Sequence, residues 1–271
     1  MSRSKSTPSE RQQRILAELV SNGESISAAQ VSEMFGVSLM TAHRDLDALE
    51  RSGFARKFHG GISALPASMY DVSVEFRSNT RRAEKVAIAR YAKRFVEPGM
   101  SILLEDSTTN FALAETLGHV TPLTILTNFP RIAEFFHGNP DVDTIMLGGQ
   151  YSATRDAYLG LRCVQAVQSM RASVYFSSTA AMSANQAFHS DPDVVMVKHA
   201  MMQSSERRVL LMDSSKVGNS ALHVVDDLTA FDDIVVDGRI DSDALAELRK
   251  NHPRIWVAPL ADTGPRNRAA T

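Results

Sequence analysis

The chain is poor in cysteine and in long apolar segments, and both absences restrict where it can work. Cys163 is the one cysteine among 271 residues, so no disulfide can form within the chain, as is typical of a reducing cytoplasm. No apolar run reaches the roughly 18–20 residues that a membrane-spanning helix needs. The N-terminal stretch MSRSKSTPSERQQR also lacks the apolar middle of a signal peptide. We therefore predict a cytoplasmic protein without a membrane partner.

An excess of charge and a metal-binding pattern are missing as well. The chain has 29 lysines and arginines against 31 acidic residues, so a nucleic-acid surface can arise only from the local placement of charges. The eight histidines include no His-x-x-x-His pair, and a single cysteine offers no Cys-x-x-Cys. The sequence thus predicts neither a metal site nor a bound cofactor.

Residues 8–62 have the pattern of one small domain, with three short helices followed by a hairpin. Each helix pattern begins at a capping serine or threonine and ends at a glycine. None of these short helices could bury its apolar face alone. A two-stranded wing is predicted in FARKFHGGISAL, where Gly60 and Gly61 suit a hairpin turn. The caps and stops pair as Thr7 with Gly23, Ser27 with Gly36, and Ser38 with Gly53.

The third helix and the wing are candidates for DNA recognition. The apolar stripe of this helix consists of Ala42, Leu46 and Leu49, so its opposite face is predicted to be exposed. The first turns of such a helix, and a basic hairpin after it, are the parts that reach bases and phosphates in DNA-binding proteins. The candidate DNA-contacting residues are Ser38, Met40, Thr41, His43 and Arg44 in the helix, and Arg56, Lys57 and His59 in the wing.

Charge alone leaves this interpretation open. A polar helix face is usually just solvated, and residues 1–61 carry eight basic against seven acidic residues. Asp45 and Asp47 would repel a phosphate backbone. We expect Asp45 to turn inward, where it would hold an arginine or a helix terminus. The ordered set of three capped helices, an FGVS turn and a basic hairpin is the more specific signal.

From about residue 78 the pattern changes to short apolar runs that alternate with helical stretches. This alternation predicts an α/β domain over 78–260, in which helices cover both faces of a mostly parallel sheet. A long amphipathic helix, TRRAEKVAIARYAKRFV, precedes the first run. Residues 63–77 are predicted to be a linker and 261–271 a flexible tail. The predicted strands are 100–105, 123–127, 142–147, 172–177, 208–213, 232–237 and 254–258, and the predicted helices between them are 109–118, 129–137, 161–170, 193–206 and 242–251.

Residues 10–61 resemble the winged helix-turn-helix of the DeoR-type bacterial regulators. The shared segments are RQQRILAELVSNG, VSEMFGVS and TAHRDLDALERSGFARKFHGG. The third helix of that family usually reads Ser-x-x-Thr-Ile-Arg-Arg-Asp-Leu. Ala42 and His43 depart from this pattern. Histidine is shorter than the usual arginine and lacks its permanent positive charge, so the base preferred at this position stays open. The matching residues are Ser38, Thr41, Arg44, Asp45 and Leu46.

The resemblance continues through about residue 237 and implies a role for the larger domain. In the family this domain is an α/β fold similar to ribose phosphate isomerases and CoA transferases, and it binds a phosphorylated sugar or a related metabolite. Such a ligand needs amides and hydroxyls at strand ends and a lysine for its phosphate. The implied effector-binding residues are Glu105, Ser107, Thr108, Thr109, Asn128, Gly148, Gly149, Asp213 and Lys216.

The expected pocket also departs from the family pattern. Glu105 and Ser107 stand where the family's Asp-x-Gly-Ser/Thr-Thr loop has aspartate and glycine. In VYFSSTAAMS, Ser178 and Ala181 stand near the glycines of a Phe-x-Gly-x-x-Gly segment. We therefore expect either the usual class of ligand, a different ligand, or weak binding.

Three functional hypotheses follow. The leading one is a repressor of carbohydrate-metabolism genes that binds double-stranded operator DNA as a dimer or tetramer and responds to a small phosphorylated metabolite. The second is a regulator whose altered pocket responds to another ligand or to none. The third is an isomerase-type enzyme with Glu105, Asp213 and Lys216 as an acid–base set. Because an enzyme has no need of the DNA-binding unit, we predict a non-enzyme without catalytic residues.

Overall fold

The computed structural model describes residues 11–12, 14–16, 18–19, 25–51, 55–58, 61–64 and 74–260. The chain forms two compact units, Met1–Thr80 and Arg81–Thr271. Each unit has its own buried apolar core, as the two hydrophobic patterns of the sequence predict.

The N-terminal unit combines helices with a small antiparallel sheet. Its helices α1, α2 and α3 coincide with the three predicted ones. In chain order the elements are α1 (helical at residues 11–12, 14–16 and 18–19), β1 (Ser25–Ser27), α2 (Ala28–Phe35), α3 (Leu39–Arg51), β2 (Ala55–Phe58), β3 (Gly61–Ala64) and α4 (Val74–Asn79).

The caps of α2 form as the sequence predicts. The Ser27 hydroxyl accepts a hydrogen bond from the Gln30 amide at 3.2 Å, and the Ser27 amide donates to Gln30 Oε1 at 2.8 Å. Gly36 ends the helix with φ at +62°, a left-handed conformation that favours glycine. The predicted cap Thr7 and the predicted stops Gly23 and Gly53 lie outside the described residues.

The predicted wing is present as an antiparallel pair of β2 and β3. The structure adds a third strand that the sequence did not reveal, because β1 pairs with the other side of β3. This pairing explains Gly61, where a Cβ atom would lie 2.4 Å from the Ile26 carbonyl oxygen. The glycine is therefore needed for the close approach of β1. Gly61 was predicted as a turn residue but is the first residue of β3, and Gly60 lies outside the described residues.

A buried ion pair supplements the apolar core of the N-terminal unit. The Arg11 Nε atom in α1 lies 2.5 Å from Asp45 Oδ2 in α3, and Gln12 Nε2 donates to Asp45 Oδ1 at 3.1 Å. Arg11 and Asp45 are both buried. The prediction that Asp45 turns inward to hold an arginine is thus confirmed. The apolar core of this unit includes Ile15, Leu16, Leu19, Ile26, Val31, Ala42, Leu46, Leu49 and Ile62.

The C-terminal unit is an α/β domain, which confirms the predicted fold class. Its strands are β4 (Ser101–Leu104), β5 (Leu123–Thr127), β6 (Val142–Met146), β7 (Gln150–Ser152), β8 (Ala157–Leu159), β9 (Ala172–Ser177), β10 (Ala181–Met182), β11 (Gln186–His189), β12 (Ser205–Met212), β13 (His223–Asp227), β14 (Asp233–Asp237) and β15 (Ile255–Ala258). Its helices are α5 (Arg82–Ala92), α6 (Thr108–Leu117), α7 (Pro130–Phe136), α8 (Leu161–Gln168), α9 (Pro192–Gln203) and α10 (Ser242–Asn251).

The main sheet contains seven strands in the order β15-β14-β12-β9-β4-β5-β6, and every described pairing within it is parallel. These strands are the seven that the apolar runs predict. From β4 the chain builds outward through β5 to β6. It then returns to β9 on the other side of β4 and builds outward to β15. The direction therefore reverses between β4 and β9, a switch point of the kind at which α/β sheets bind ligands.

Several short elements differ from the sequence-based prediction. The small antiparallel pairings β7-β8 and β10-β11-β13 were not predicted. The predicted linker 63–77 begins within β3 and ends within α4. The long helix expected after it, over residues 80–96, is present as α5, which begins one residue after Arg81, whose backbone is left-handed with φ at +55°, and ends at Ala92. The predicted tail, 261–271, lies outside the described residues.

The buried pair in the N-terminal unit makes a testable prediction. Asp45→Ala leaves the Arg11 guanidinium buried without this carboxylate and should lower the free energy of unfolding by about 3–5 kcal/mol. Hydrogen exchange of the α3 amides in the full chain measures the effect. Glu33→Ala, at an exposed position of α2, is the control, with an expected change below about 0.5 kcal/mol. Equal protection in both variants would contradict a stabilising role for the pair.

Candidate functional site

The outer face of α3 carries the predicted DNA-contacting residues. Ser38 caps the helix, since its hydroxyl accepts a hydrogen bond from the Thr41 amide at 3.2 Å. Met40 is 68% exposed, and His43 and Arg44 are exposed as well. The structure thus brings the predicted helix residues together on one accessible face.

The wing differs in one respect from the simple basic hairpin that the sequence indicates. Lys57 Nζ lies 2.5 Å from Asp47 Oδ1 of α3, and both side chains are nearly half exposed. The hydrogen bond and the charge of Asp47 raise the pKa of Lys57 above its ordinary value. The lysine is therefore already paired with an acid of the same unit. Arg56 is exposed, and His59 lies outside the described residues.

The edge of the seven-stranded sheet at which its strands end, here called the carboxyl edge, collects the predicted effector-binding residues. Glu105 follows β4, Asn128 follows β5, and Asp213 follows β12. Ser107 caps α6, and its hydroxyl accepts from the Asn110 amide at 3.0 Å. Thr108 and Thr109 occupy the first turn of α6, and both are buried. The parallel topology is what brings residues so distant in sequence to one edge.

Glu105 is the centre of a buried polar cluster. Its carboxylate accepts hydrogen bonds from the Tyr175 hydroxyl, the Lys198 ammonium and the Ser178 amide. Lys198 Nζ also donates to the Ser178 carbonyl at 2.8 Å. Burial raises the pKa of the Glu105 carboxyl, with Lys198 opposing the shift, and burial beside Glu105 raises the pKa of Tyr175 well above its ordinary value. These four residues, here called the Glu105 cluster, tie β4 to β9 and α9.

Asn128, the first residue after β5, forms hydrogen bonds with Asp106 and with strand β8. Its Nδ2 atom donates to Asp106 Oδ1 at 3.2 Å and to the Tyr158 carbonyl of β8 at 3.0 Å. The Tyr158 amide in turn donates to the Asn128 carbonyl at 2.9 Å. Asn128 therefore links the end of β4 with the β7-β8 hairpin.

Asp213 and Lys216 form an ion pair, with Lys216 Nζ 3.6 Å from Asp213 Oδ2. Lys216 also donates to the Thr179 carbonyl at 2.9 Å, and the Ser215 hydroxyl donates to Asp213. Burial opposes ionisation of Asp213. The charges of Lys216, Lys85 and Arg81 and the Ser215 hydrogen bond outweigh it, so the pKa of Asp213 lies below its ordinary value.

Gly148 and Gly149 follow β6, which is an edge strand two positions from β4. A Cβ atom on Gly149 would lie 2.5 Å from the Leu159 carbonyl oxygen, and its φ is +145°. Gly149 therefore permits the close packing of β8. No such constraint is present at Gly148, where a Cβ atom would meet nothing within 4 Å.

Unpartnered polar atoms concentrate at the carboxyl edge. Four buried side-chain oxygens have no hydrogen-bond partner among the described residues, namely Asn110 Oδ1, Asn128 Oδ1, Thr144 Oγ1 and Ser178 Oγ. Asn128 and Ser178 directly follow β5 and β9, Asn110 lies in α6 and contacts the Phe176 carbonyl of β9, and Thr144 lies within β6. An unsatisfied buried group costs about 1–3 kcal/mol, which a polar ligand could recover.

Sequence reasoning left Tyr175, Ser178 and Lys198 out of the predicted site. Tyr175 belongs to an apolar strand, where an aromatic side chain suggests only core packing. Lys198 gave a clearer signal, because it stands within the apolar helix segment VVMVKHAMM. A lysine in such a run must either be paired or face solvent.

Other classes of site are not represented among the described residues. None of the described helices combines the length and the apolar character that crossing a membrane requires. Nor does any group of three or more His, Cys, Asp or Glu side chains in the described ranges suit a metal ion. Burial, aided by the charge of Asp106, raises the pKa of the Cys163 thiol to about 12, which keeps it in its unreactive protonated form.

Comparison with known proteins gives a consistent result for both units. Residues 11–66 match the model of the DeoR-like helix-turn-helix domain, and residues 80–238 match that of the DeoR C terminal sensor domain. The uncharacterized HTH-type transcriptional regulator YgbI of Escherichia coli K12 is 30% identical over 251 residues, covering 93% of this chain and 98% of the relative. A putative aga operon transcriptional repressor of Escherichia coli O157:H7 is 29% identical over 89% of this chain and 91% of its own.

Among solved structures, one partial and distant similarity is as follows. Ribose 5 phosphate isomerase A from Neisseria gonorrhoeae is 16% identical, with a TM-score of 0.36 over 49% of this chain and 52% of its own.

The lowered pKa of Asp213 predicts a dependence of stability on pH. A carboxyl whose pKa is depressed by folding stabilises the fold above its unfolded pKa, about 3.9, and loses that contribution as pH falls through the folded value. Asp213→Asn should therefore destabilise the protein at about pH 5.5 and progressively less below about pH 4. Urea unfolding of both proteins at about pH 5.5 and again below about pH 4 measures the difference in the free energy of unfolding. If this difference had the same size at both pH values, the charge of Asp213 would not be the stabilising element.

Proposed function

Because the chain belongs to the DeoR family of transcriptional regulators, we propose that it is a repressor that binds double-stranded operator DNA through α3 and its wing. We further propose that a phosphorylated sugar at the carboxyl edge controls this binding and that the target genes serve carbohydrate metabolism. The chain is a regulator and not an enzyme.

The exposed face of α3 is the observation that carries the DNA-binding part. Its N-terminal turns present a capped helix end followed by His43 and Arg44, the geometry of a helix that enters the major groove. Arg44 is suited to a bidentate contact with guanine or to a clamp on a phosphate. The side chain of His43 is shorter than that of arginine, so it can contact only a base edge that lies closer to the helix. Arg56 in β2 is exposed, which supports a contact with a backbone phosphate.

The unpartnered oxygens of the carboxyl edge support the metabolite-binding part. Asn110 and Asn128 offer carbonyl oxygens that accept hydrogen bonds from sugar hydroxyls. The N-terminus of α6 carries the partial positive charge that favours a phosphate. Lys216 adds a positive charge in the turn after β12, which is separated from β4 by β9 alone. This combination of acceptors and positive electrostatic potential fits a ligand with a polyol and an anion.

For such a ligand to control DNA binding, the protein must have two conformational states that bind the ligand with different affinities. The effect is reciprocal, so operator DNA would change the affinity for the sugar phosphate by the same factor. We propose a homodimer or a tetramer, because a two-fold assembly places two copies of α3 on paired half-sites.

Arg44→Ala tests the DNA-binding part. The substitution should weaken operator binding by about 1–3 kcal/mol, because a charged contact to base or phosphate is lost. Fluorescence anisotropy with a DNA fragment selected by the wild-type protein measures the loss. Arg14→Ala removes a positive charge from α1, where the guanidinium stacks over Phe35, and should change affinity much less. Equal affinities of the Arg44→Ala variant and the wild type would exclude α3 as the reading helix.

Thermal denaturation tests the metabolite-binding part. A sugar phosphate that binds the folded sensor should raise the melting temperature by about 5–10 °C at a hundredfold excess over its dissociation constant. Suitable probes are glucose 6-phosphate, galactose 6-phosphate, fructose 6-phosphate and ribose 5-phosphate, with the unphosphorylated sugars as controls. An unchanged melting temperature with every phosphorylated probe would contradict control by a sugar phosphate and leave DNA binding unaffected.

A further inference from the structure

We propose that Ser178 is a specificity-determining residue and that its hydroxyl binds a neutral hydroxyl group on the sugar part of the ligand. This inference rests on the proposed function, because it concerns the same carboxyl edge. Ser178 is the first residue after β9, on one side of the switch point between β4 and β9. It was not among the residues that the sequence assigned to effector binding.

The backbone around Ser178 is fixed from several directions. Its amide donates to the Glu105 carboxylate, and its carbonyl accepts from Lys198 Nζ at 2.8 Å. The next carbonyl, that of Thr179, accepts from Lys216 Nζ at 2.9 Å. The Ala180 amide then donates to the Phe188 carbonyl at 3.0 Å. Residues from β4, α9, β11 and the turn after β12 therefore hold this segment in place, which preorganises any group that it carries.

The side chain of Ser178 is not used by these contacts. Ser178 is 5% exposed, and its Oγ atom has no hydrogen-bond partner among the described residues. The neighbouring hydroxyl of Thr179 differs, because it donates to the Ala181 carbonyl at 3.1 Å. Beside the same strand, Asn110 Nδ2 donates to the Phe176 carbonyl at 2.8 Å and leaves Asn110 Oδ1 unpartnered. Two unsatisfied polar atoms thus accompany the end of β9, on separate elements of the fold.

The charges around Ser178 favour a neutral partner over a phosphate. The Glu105 carboxylate bonds to its amide, and the charge of Asp106 acts on Glu105. The two lysines that contact this segment are each paired with a carboxylate, Lys198 with Glu105 and Lys216 with Asp213. A sugar hydroxyl adds no charge to this balance and can both donate to and accept from the serine.

Ser178→Ala tests the proposal while keeping both backbone hydrogen bonds. Binding of the four sugar phosphates named above should weaken about three- to tenfold, the loss expected for one neutral hydrogen bond. Binding of inorganic phosphate, which has no sugar hydroxyl, should change by less than about twofold. Isothermal titration of the full chain with each probe provides both affinities.

Thr144→Val is the matched control, because Thr144 also carries a buried hydroxyl without a partner but lies within β6. Its affinities for all probes should equal those of the wild type. Unchanged sugar-phosphate affinity in Ser178→Ala would overturn the assignment while leaving the proposed function intact, and an equal loss for inorganic phosphate would show that Ser178 serves the anion instead. Absence of sugar-phosphate binding to the wild type would overturn both the metabolite-binding function and this inference.

Discussion

The buried carboxylate of Glu105 is the constraint on which the C-terminal unit, here also called the sensor unit, depends. An ionised carboxylate in an apolar interior must be paired and hydrogen-bonded, because its desolvation is otherwise too costly. Lys198, Tyr175 and the Ser178 amide meet this need from α9 and β9. The same contacts that compensate the charge therefore fix the end of β4 against the end of β9. These contacts join the two strand ends at the switch point, where α/β sheets bind ligands.

Basic residues are paired with acidic ones elsewhere in the molecule as well. Arg11 pairs with Asp45, Lys57 with Asp47, and Lys216 with Asp213. These three basic residues are therefore already paired with acids of the same unit. An approaching phosphate must compete with these carboxylates or use helix termini and exposed arginines such as Arg44. Electrostatic attraction alone would give this surface little affinity for DNA, so recognition depends on the placement of a few groups.

Sequence patterns predicted the long-range architecture better than the chemistry of the edge. The seven apolar runs became the seven parallel strands, because a strand buried on both faces leaves a continuous apolar signature. The strands β1, β7, β8, β10, β11 and β13 were missed, since elements of two to five residues with mixed polarity carry no periodic signal. The pairing of Glu105 with Lys198 was missed because the two residues are 93 positions apart along the chain and only the fold joins them. Ser178 could not be recognised as unpartnered before its neighbours were known.

The first residues of the sensor unit interact electrostatically with Asp213 at the carboxyl edge. Arg81, the first residue of this unit, holds a left-handed backbone conformation that costs a non-glycine residue about 1 kcal/mol or more. Its guanidinium lies 3.5 Å from Glu84, and its charge, with that of Lys85, helps to lower the pKa of Asp213. Because Coulomb interactions act in both directions, the ionised Asp213 also stabilises the positive charges of Arg81 and Lys85. An anion bound near Lys216 would alter this balance at the residue where the sensor unit begins.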